Sequence, residues 1–200
     1  MIELPHGDFG AYIFDCDGTL ADTMPLHYRA WTRVVTALGG HFPEDLFYRL
    51  GGRSTEEIFA VLRDQQGLDV PDIARATVLK ERYFLELLPA VRPIAAVVEI
   101  ARQAYGRLPL AVASGGPRSN VVPTLEALGI ARLFAAIVCV EDYARAKPWP
   151  DPFLEAAGRL GVAASACLVF EDSPLGIEAA EAAGMRWVLV PRSAGGDPRI

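Results

Sequence analysis

The chain has 200 residues, 52% of them apolar, and a formal charge of −6 with a sequence pI of about 5.1. That length suits one large domain, or one core domain carrying a small insert, with enough apolar material for a substantial core. The acidic balance, without any Lys/Arg run, argues against a nucleic-acid partner, and no apolar run is long enough to span a bilayer.

The opening stretch, Met1 to Gly10, mixes acids and turn formers and does not read as a basic-then-apolar leader. Cys16, Cys139 and Cys167 are widely spaced and odd in number. That argues against a disulfide framework or a CxxC zinc site, and for ordinary packing beside buried strands. The expectation is a cytoplasmic protein, a monomer or weak dimer.

The first element is a strand, Ala11–Phe14, with the length of a strand buried on both faces. It runs into Phe14-Asp15-Cys16-Asp17-Gly18-Thr19-Leu20. Two carboxylates one residue apart, just past a strand, lie at the mouth of a sheet, and Gly18 allows a sharp turn. One carboxylate can act as a nucleophile without a base, because it is ionised at neutral pH. The other can protonate a leaving alcohol and then deprotonate water. A lone DxD reads more plainly as an acidic turn. The full string, at the first strand of an α/β pattern, favours Asp15 and Asp17 as a catalytic pair.

No convincing strand follows between Ala21 and Pro89. Met24, His27, Tyr28, Trp31, Val34, Val35 and Leu38 form a helical stripe. Ser54 or Thr55 is placed to cap a helix holding Ile58, Val61 and Leu62, and Tyr83, Phe84, Leu87 and Leu88 form a third stripe. Residues 21–89 therefore read as an all-helical insert, with 1–20 and 90–200 forming the core. An insert beside the carboxyl end of a strand lies where a mobile lid would serve a ligand crevice. His27 and Arg53 are its candidates for substrate contact, against a core histidine and a solvated loop arginine. Lys80 could face the crevice from the insert, but a solvated helix lysine is the plainer reading.

Beyond residue 90, helical and strand patterns alternate. Ile94, Val97, Val98, Ala101 and Tyr105 form one helical stripe, and Val121, Val122, Leu125 and Leu128 another. The strands are Leu110–Ala113, Ala136–Val140, Ala166–Phe170 and Arg186–Val190. This predicts a parallel sheet covered on both faces, and right-handed crossovers make it a doubly wound, Rossmann-like α/β fold. At one strand end, Ala113-Ser114-Gly115-Gly116-Pro117 offers a hydroxyl and N–H groups that suit phosphate oxygens, or a simple N-cap with a glycine turn. Lys147 precedes Pro148, which favours an extended approach; a surface lysine is the plainer reading. Phe170-Glu171-Asp172-Ser173 places adjacent acids at a strand end, a natural hard-cation site. The alternative is acids at the N-terminus of a helix opened by Pro174. The motifs require one another. Asp15, Asp17, Glu171 and Asp172 would repel a phosphate dianion unless a divalent cation and Lys147 supplied positive charge.

In this order the motifs resemble those of the haloacid dehalogenase superfamily, in its phosphatase branch, over nearly the whole chain. Asp15 to Trp31, with Asp22, Thr23 and His27, and Phe170 to Ile177 are similar to one subgroup. It contains β-phosphoglucomutase and sugar-phosphate phosphatases of the fructose-1-phosphatase type. The resemblance implies a small helical cap, Asp15 as nucleophile and Asp17 as general acid/base. It implies that Ser114 and the Gly115 N–H bind the phosphoryl group and that Lys147 bridges it to the nucleophile. Magnesium (Mg2+) would be held by Asp15, Asp172 and the carbonyl of Asp17, with Glu171 a ligand or a partner behind it. The implied reaction is hydrolysis of a phosphorylated sugar or related small metabolite through an aspartyl phosphate.

In Gly51-Gly52-Arg53-Ser54-Thr55 the arginine precedes the serine, which is more like the phosphatases than the mutase. Phosphoryl transfer between sugar positions is the second reading. Asp17 argues against a dehalogenase, and the absence of a clear cap lysine against a phosphonate hydrolase. A non-catalytic phosphate-binding module has no need of so costly a cluster of acids.

Overall fold

The computed structural model describes residues 2–51, 53 and 55–191. Strand β1 (Ala11–Phe14) is followed by helices α1 (Met24–Ala37), α2 (Glu44–Arg49), α3 (Thr55–Gln66) and α4 (Ile73–Leu87). Helix and strand then alternate: α5 (Ala95–Ala104), β2 (Leu110–Ala113), α6 (Arg118–Ala127), β3 (Ala136–Val138), α7 (Asp151–Leu160), β4 (Cys167–Glu171), α8 (Pro174–Ala182) and β5 (Arg186–Leu189). Among the described residues, those up to Thr23 and those from Val91 to Pro191 form one compact unit, and those within Met24–Ala90 form a second.

The first unit holds a parallel sheet in the order β3-β2-β1-β4-β5. Phe14 of β1 stands beside Val112 of β2 and Phe170 of β4. Strand alternation sorts the apolar side chains onto two faces. Phe14, Val112, Leu168 and Phe170 join a core with Val97, Val98 and Ala101 of α5 and Val121 and Leu125 of α6. Ala11, Ile13, Ala111 and Val169 join another with Phe153 and Ala156 of α7 and Ala179 and Ala180 of α8. The Phe14 and Phe170 rings stack with centroids 4.5 Å apart, a pairing worth about 0.5–1.5 kcal/mol beyond area burial. The sheet is thus doubly wound, as expected. β1 and β4 are neighbours whose next connections run to opposite edges, so the crevice beyond their carboxyl ends is the topological switch point.

Three sequence expectations change. β5 is an edge strand, with Trp187 38% and Leu189 54% exposed, because nothing pairs beyond it among the described residues. β3 stops at Val138, as the chain turns into a 3-10 segment at Val140–Asp142. Tyr105 lies past the last residue of α5 with extended ψ, and is exposed rather than part of the helical stripe.

The second unit packs around Trp31, whose ring meets Phe42 at 5.7 Å and Phe59 at 5.0 Å, both edge-on. Val34, Val35, Leu46, Phe47 and Leu62 complete this core. Asp72 starts α4 by accepting from the Arg75 N–H at 2.9 Å. The His27 ring stacks on Phe84 at 4.0 Å. Arg53 is exposed, and its main-chain N–H donates to the Leu50 carbonyl. Gly52 and Ser54, the latter one of two expected helix caps, lie outside the described residues. Lys80 is buried rather than solvated: its ammonium donates to Glu81 at 3.0 Å and stands 5.8 Å from the Trp31 ring centre. Among the described residues no helix is long and apolar enough to cross a membrane.

Candidate active site

The site is built from chain that leaves the sheet at its carboxyl edge. The Asp15 N–H continues the β1–β4 ladder by donating to the Phe170 carbonyl at 2.9 Å. The Asp15 carboxylate, 6% exposed, accepts from the Lys147 ammonium at 2.7 Å, and Lys147 also donates to Glu171 at 2.7 Å. Lys147, whose peptide to Pro148 is cis, is therefore no surface lysine. The other Glu171 oxygen accepts from the main-chain N–H groups of Asp172 and Ser173 and from the Ser173 hydroxyl, at 3.2, 3.0 and 2.8 Å. Ser173 in turn caps α8 by accepting from the Gly176 N–H. Two glycines make room for these acids. A Cβ on Gly18, which has φ +89°, would fall 2.6 Å from the Asp172 carboxylate, and one on Gly176 would fall 2.0 Å from Glu171.

Asp17 accepts from the Thr23 hydroxyl at 2.6 Å. Its other oxygen and the Ser114 hydroxyl approach the same point: a Cβ on Gly116 would lie 3.5 Å from one and 3.3 Å from the other. Ser114 is buried at the end of β2. Its N–H donates to the Val138 carbonyl, its hydroxyl accepts from the Gly116 N–H, and its carbonyl accepts from the Tyr143 hydroxyl at 3.1 Å. Gly115 is exposed, and its N–H has no acceptor among the described residues. The first unit thus brings together Asp15, Asp17, Ser114, Lys147, Glu171 and Asp172, while His27 and Arg53 belong to the helical unit.

Charge in the crevice is unbalanced. Carboxylate oxygens of Asp15, Glu171 and Asp172 lie within 4.8 Å of one another. Burial pushes the Asp15 carboxyl well above the usual carboxylate range; Glu171, Asp172 and Asp17 push the same way and Lys147 opposes them. Burial alone would pull the Lys147 ammonium down, but Asp15 and Glu171 outweigh it and hold it above the usual lysine range. Burial also pushes the Cys16 thiol up, with Asp17 and Asp15 adding to the effect, so this cysteine packs rather than reacts.

Tyr143 escapes motif reading, and Gly176 lies within the Phe170 to Ile177 motif without its role being readable there. Tyr143 sits in an irregular segment between β3 and α7, with no periodicity to mark it. Gly176 looks like any helical glycine until the Glu171 carboxylate is seen where its side chain would be. Thr23 does fall in the segment that carries the resemblance, but nothing in the sequence gives its bond to Asp17.

A family model for haloacid dehalogenase-like hydrolases matches residues 9–184. The chain belongs to this family. Among its relatives in the family, it is 35% identical over 177 residues to the fructose-1-phosphate phosphatase YqaB of Escherichia coli, covering 88% of this chain and 94% of that one. It is 33% identical to the phosphorylated carbohydrates phosphatase of Thermotoga maritima, covering 88% of this chain and 82% of the relative. Its fold matches the crystal structure of CbbY from Rhodobacter sphaeroides in complex with phosphate, with a TM-score of 0.84 and 29% identity over 94% of this chain and 92% of that one. The protein is therefore an enzyme, a haloacid dehalogenase-like hydrolase, with the α/β fold its sequence predicts.

Proposed function

We propose that the protein is a magnesium-dependent phosphatase that hydrolyses small phosphorylated metabolites, sugar phosphates above all, through an aspartyl phosphate on Asp15. The observation that carries this reading is the buried Asp15 carboxylate, held by Lys147 at the switch point in one crevice with Asp17, Ser114 and Asp172.

The donor set fits a hard divalent cation. Three carboxylates converge within 4.8 Å, and the one ammonium beside them pairs with only two, Asp15 and Glu171. Asp15, Asp172 and the Asp17 carbonyl would hold the ion. Both Glu171 oxygens are engaged by Lys147, Ser173 and the Asp172 main chain, which suits a residue that stands behind the ligands and aims Lys147. Magnesium, when bound, would offset the carboxylate charge and that of the incoming phosphate.

In the first step an Asp15 oxygen attacks phosphorus and the bond to the sugar oxygen breaks. Asp17 enters protonated and gives its proton to that leaving oxygen. In the second step Asp17, now a carboxylate, takes a proton from water as the water attacks phosphorus. Inorganic phosphate leaves and Asp15 is restored. Ser114, the Gly115 N–H and Lys147 hold the phosphoryl oxygens, and Thr23 steadies Asp17 between its two tasks. The helical unit serves as the cap, with His27 and Arg53 reading the substrate.

The sugar-phosphate class is supported by the names of the Escherichia coli and Thermotoga maritima relatives. Transfer of the phosphoryl group to a second sugar hydroxyl remains the alternative fate of the intermediate; the position of Arg53 ahead of Ser54 favours water. The test is a panel of phosphorylated metabolites assayed for phosphate release with and without magnesium. Release from sugar phosphates only when magnesium is present is expected. A panel that yields no phosphate under any condition would sink the proposal.

A further inference from the structure

We propose that Tyr143 is a positioning residue, whose hydroxyl fixes the peptide plane between Ser114 and Gly115 and thereby aims the Gly115 N–H into the site. The inference rests on the phosphoryl-transfer reading above, in which that N–H meets a phosphoryl oxygen.

The carbonyl of Ser114 and the N–H of Gly115 belong to one planar peptide unit and point in opposite directions. Whatever holds the carbonyl therefore sets the direction of the N–H. The Tyr143 hydroxyl donates to that carbonyl at 3.1 Å. Gly115 needs such an external hold. It has no side chain to anchor it, a Cβ there would meet nothing within 4 Å, and its N–H has no acceptor among the described residues. Left alone, a glycine peptide turns easily, because φ is nearly unrestricted.

The neighbouring contacts hold the chain on either side but not this plane. The Ser114 N–H is tied to Val138, and the Gly116 carbonyl accepts from the Val140 N–H at 3.1 Å. Tyr143 comes from the loop that carries Lys147, so one side chain couples the phosphoryl cradle to the lysine. Its ring packs against the core beneath the sheet. Burial pushes the phenol up to about 12, so it remains a donor across the working range. Pre-aimed donors are effective because no reorganisation is needed as charge develops on phosphorus-bound oxygen.

The test is Tyr143→Phe, which keeps the ring and removes the hydroxyl. Turnover of p-nitrophenyl phosphate should fall about tenfold in kcat with KM little changed, a part of the loss that removing an oxyanion donor outright produces. Inhibition by vanadate, which mimics the five-coordinate phosphorus, should weaken by the same factor. The magnesium concentration for half-activation should stay constant, because no metal-holding side chain is touched. The amide resonance of Gly115 should shift in the variant, whereas that of Gly18 should not. Wild-type kcat and vanadate inhibition in the folded variant, or an unmoved Gly115 resonance, would overturn the inference. A drop in melting temperature with a rise in the magnesium requirement would also overturn it, since that is the mark of a merely structural residue. A wild-type protein that cleaves no phosphate ester would defeat the phosphatase reading instead, and the Gly115 resonance would still decide the role of Tyr143.

Discussion

Asp15 faces two opposed demands. Burial and the acids around it favour its protonated form, yet in the proposed mechanism it has to be ionised to attack phosphorus. Asp15→Asn keeps the shape and an acceptor for Lys147 but removes the nucleophile. Turnover is expected to fall by at least about a thousandfold, with a melting temperature no lower than that of the wild type. Near-normal steady-state turnover in the folded variant would falsify the assignment. Asp17 should behave differently, because its work depends on what leaves. A sugar alkoxide needs a proton and a p-nitrophenolate does not. Asp17→Asn should slow formation of the aspartyl phosphate about a hundred- to ten-thousandfold for a sugar phosphate, and far less for p-nitrophenyl phosphate. Single-turnover kinetics with both substrates read this directly, and equal losses would remove the general-acid role. These two carboxylates were legible as a candidate pair because they sit in one contiguous string after a strand. Tyr143 was not, since it acts through a partner distant in the linear chain: Ser114 lies 29 positions away.

At the scale of elements, the segment after β3 is fastened to α6 and α7 by Asp142. It accepts from the Cys139 N–H at 2.7 Å, from Arg159 at 2.9 Å and from Arg118. Burial alone would raise the Asp142 carboxyl, but the Cys139 N–H and the two arginines outweigh it and hold it below the usual range. A depressed carboxyl stabilises the fold above its unfolded value, near 3.9, and that stabilisation is lost as pH falls through the folded value. Asp142→Asn should therefore cost about 1–3 kcal/mol at pH 7, and the gap to wild type should close below about pH 4. Urea melts across that range would show it; a gap independent of pH would contradict the argument. Gly176→Ala places a methyl group 2.0 Å from the Glu171 carboxyl carbon. It should cost about 1–3 kcal/mol as an overpacked core does and lower kcat by shifting Glu171 from Lys147. The strands of the sheet were readable as short apolar runs, and α1 as a long stripe. The six-residue α2 escaped because a helix of under two turns has no period to detect. Lys80 was misjudged because part of its surroundings, the Trp31 ring, comes from another helix, α1.

For the molecule as a whole, metal binding should act as a folding ligand. An ion that binds only the native state adds about 2.7 kcal/mol at a hundredfold excess over its Kd. Magnesium should raise the melting temperature of the wild type, and Asp172→Ala should abolish that rise; an equal rise in both would move the metal elsewhere. The same sheet order that assembles the crevice also dictates when it can exist. Asp15 is synthesised well before Asp172, yet β1 lies between β2 and β4. Until β4 docks, β1 presents a bare hydrogen-bonding edge and Lys147 lacks one of its two carboxylate partners. On the proposed mechanism, an unfinished chain would therefore be inert as a catalyst. Its open β1 edge, which the finished sheet covers, is one place where newly made copies would pair wrongly with one another.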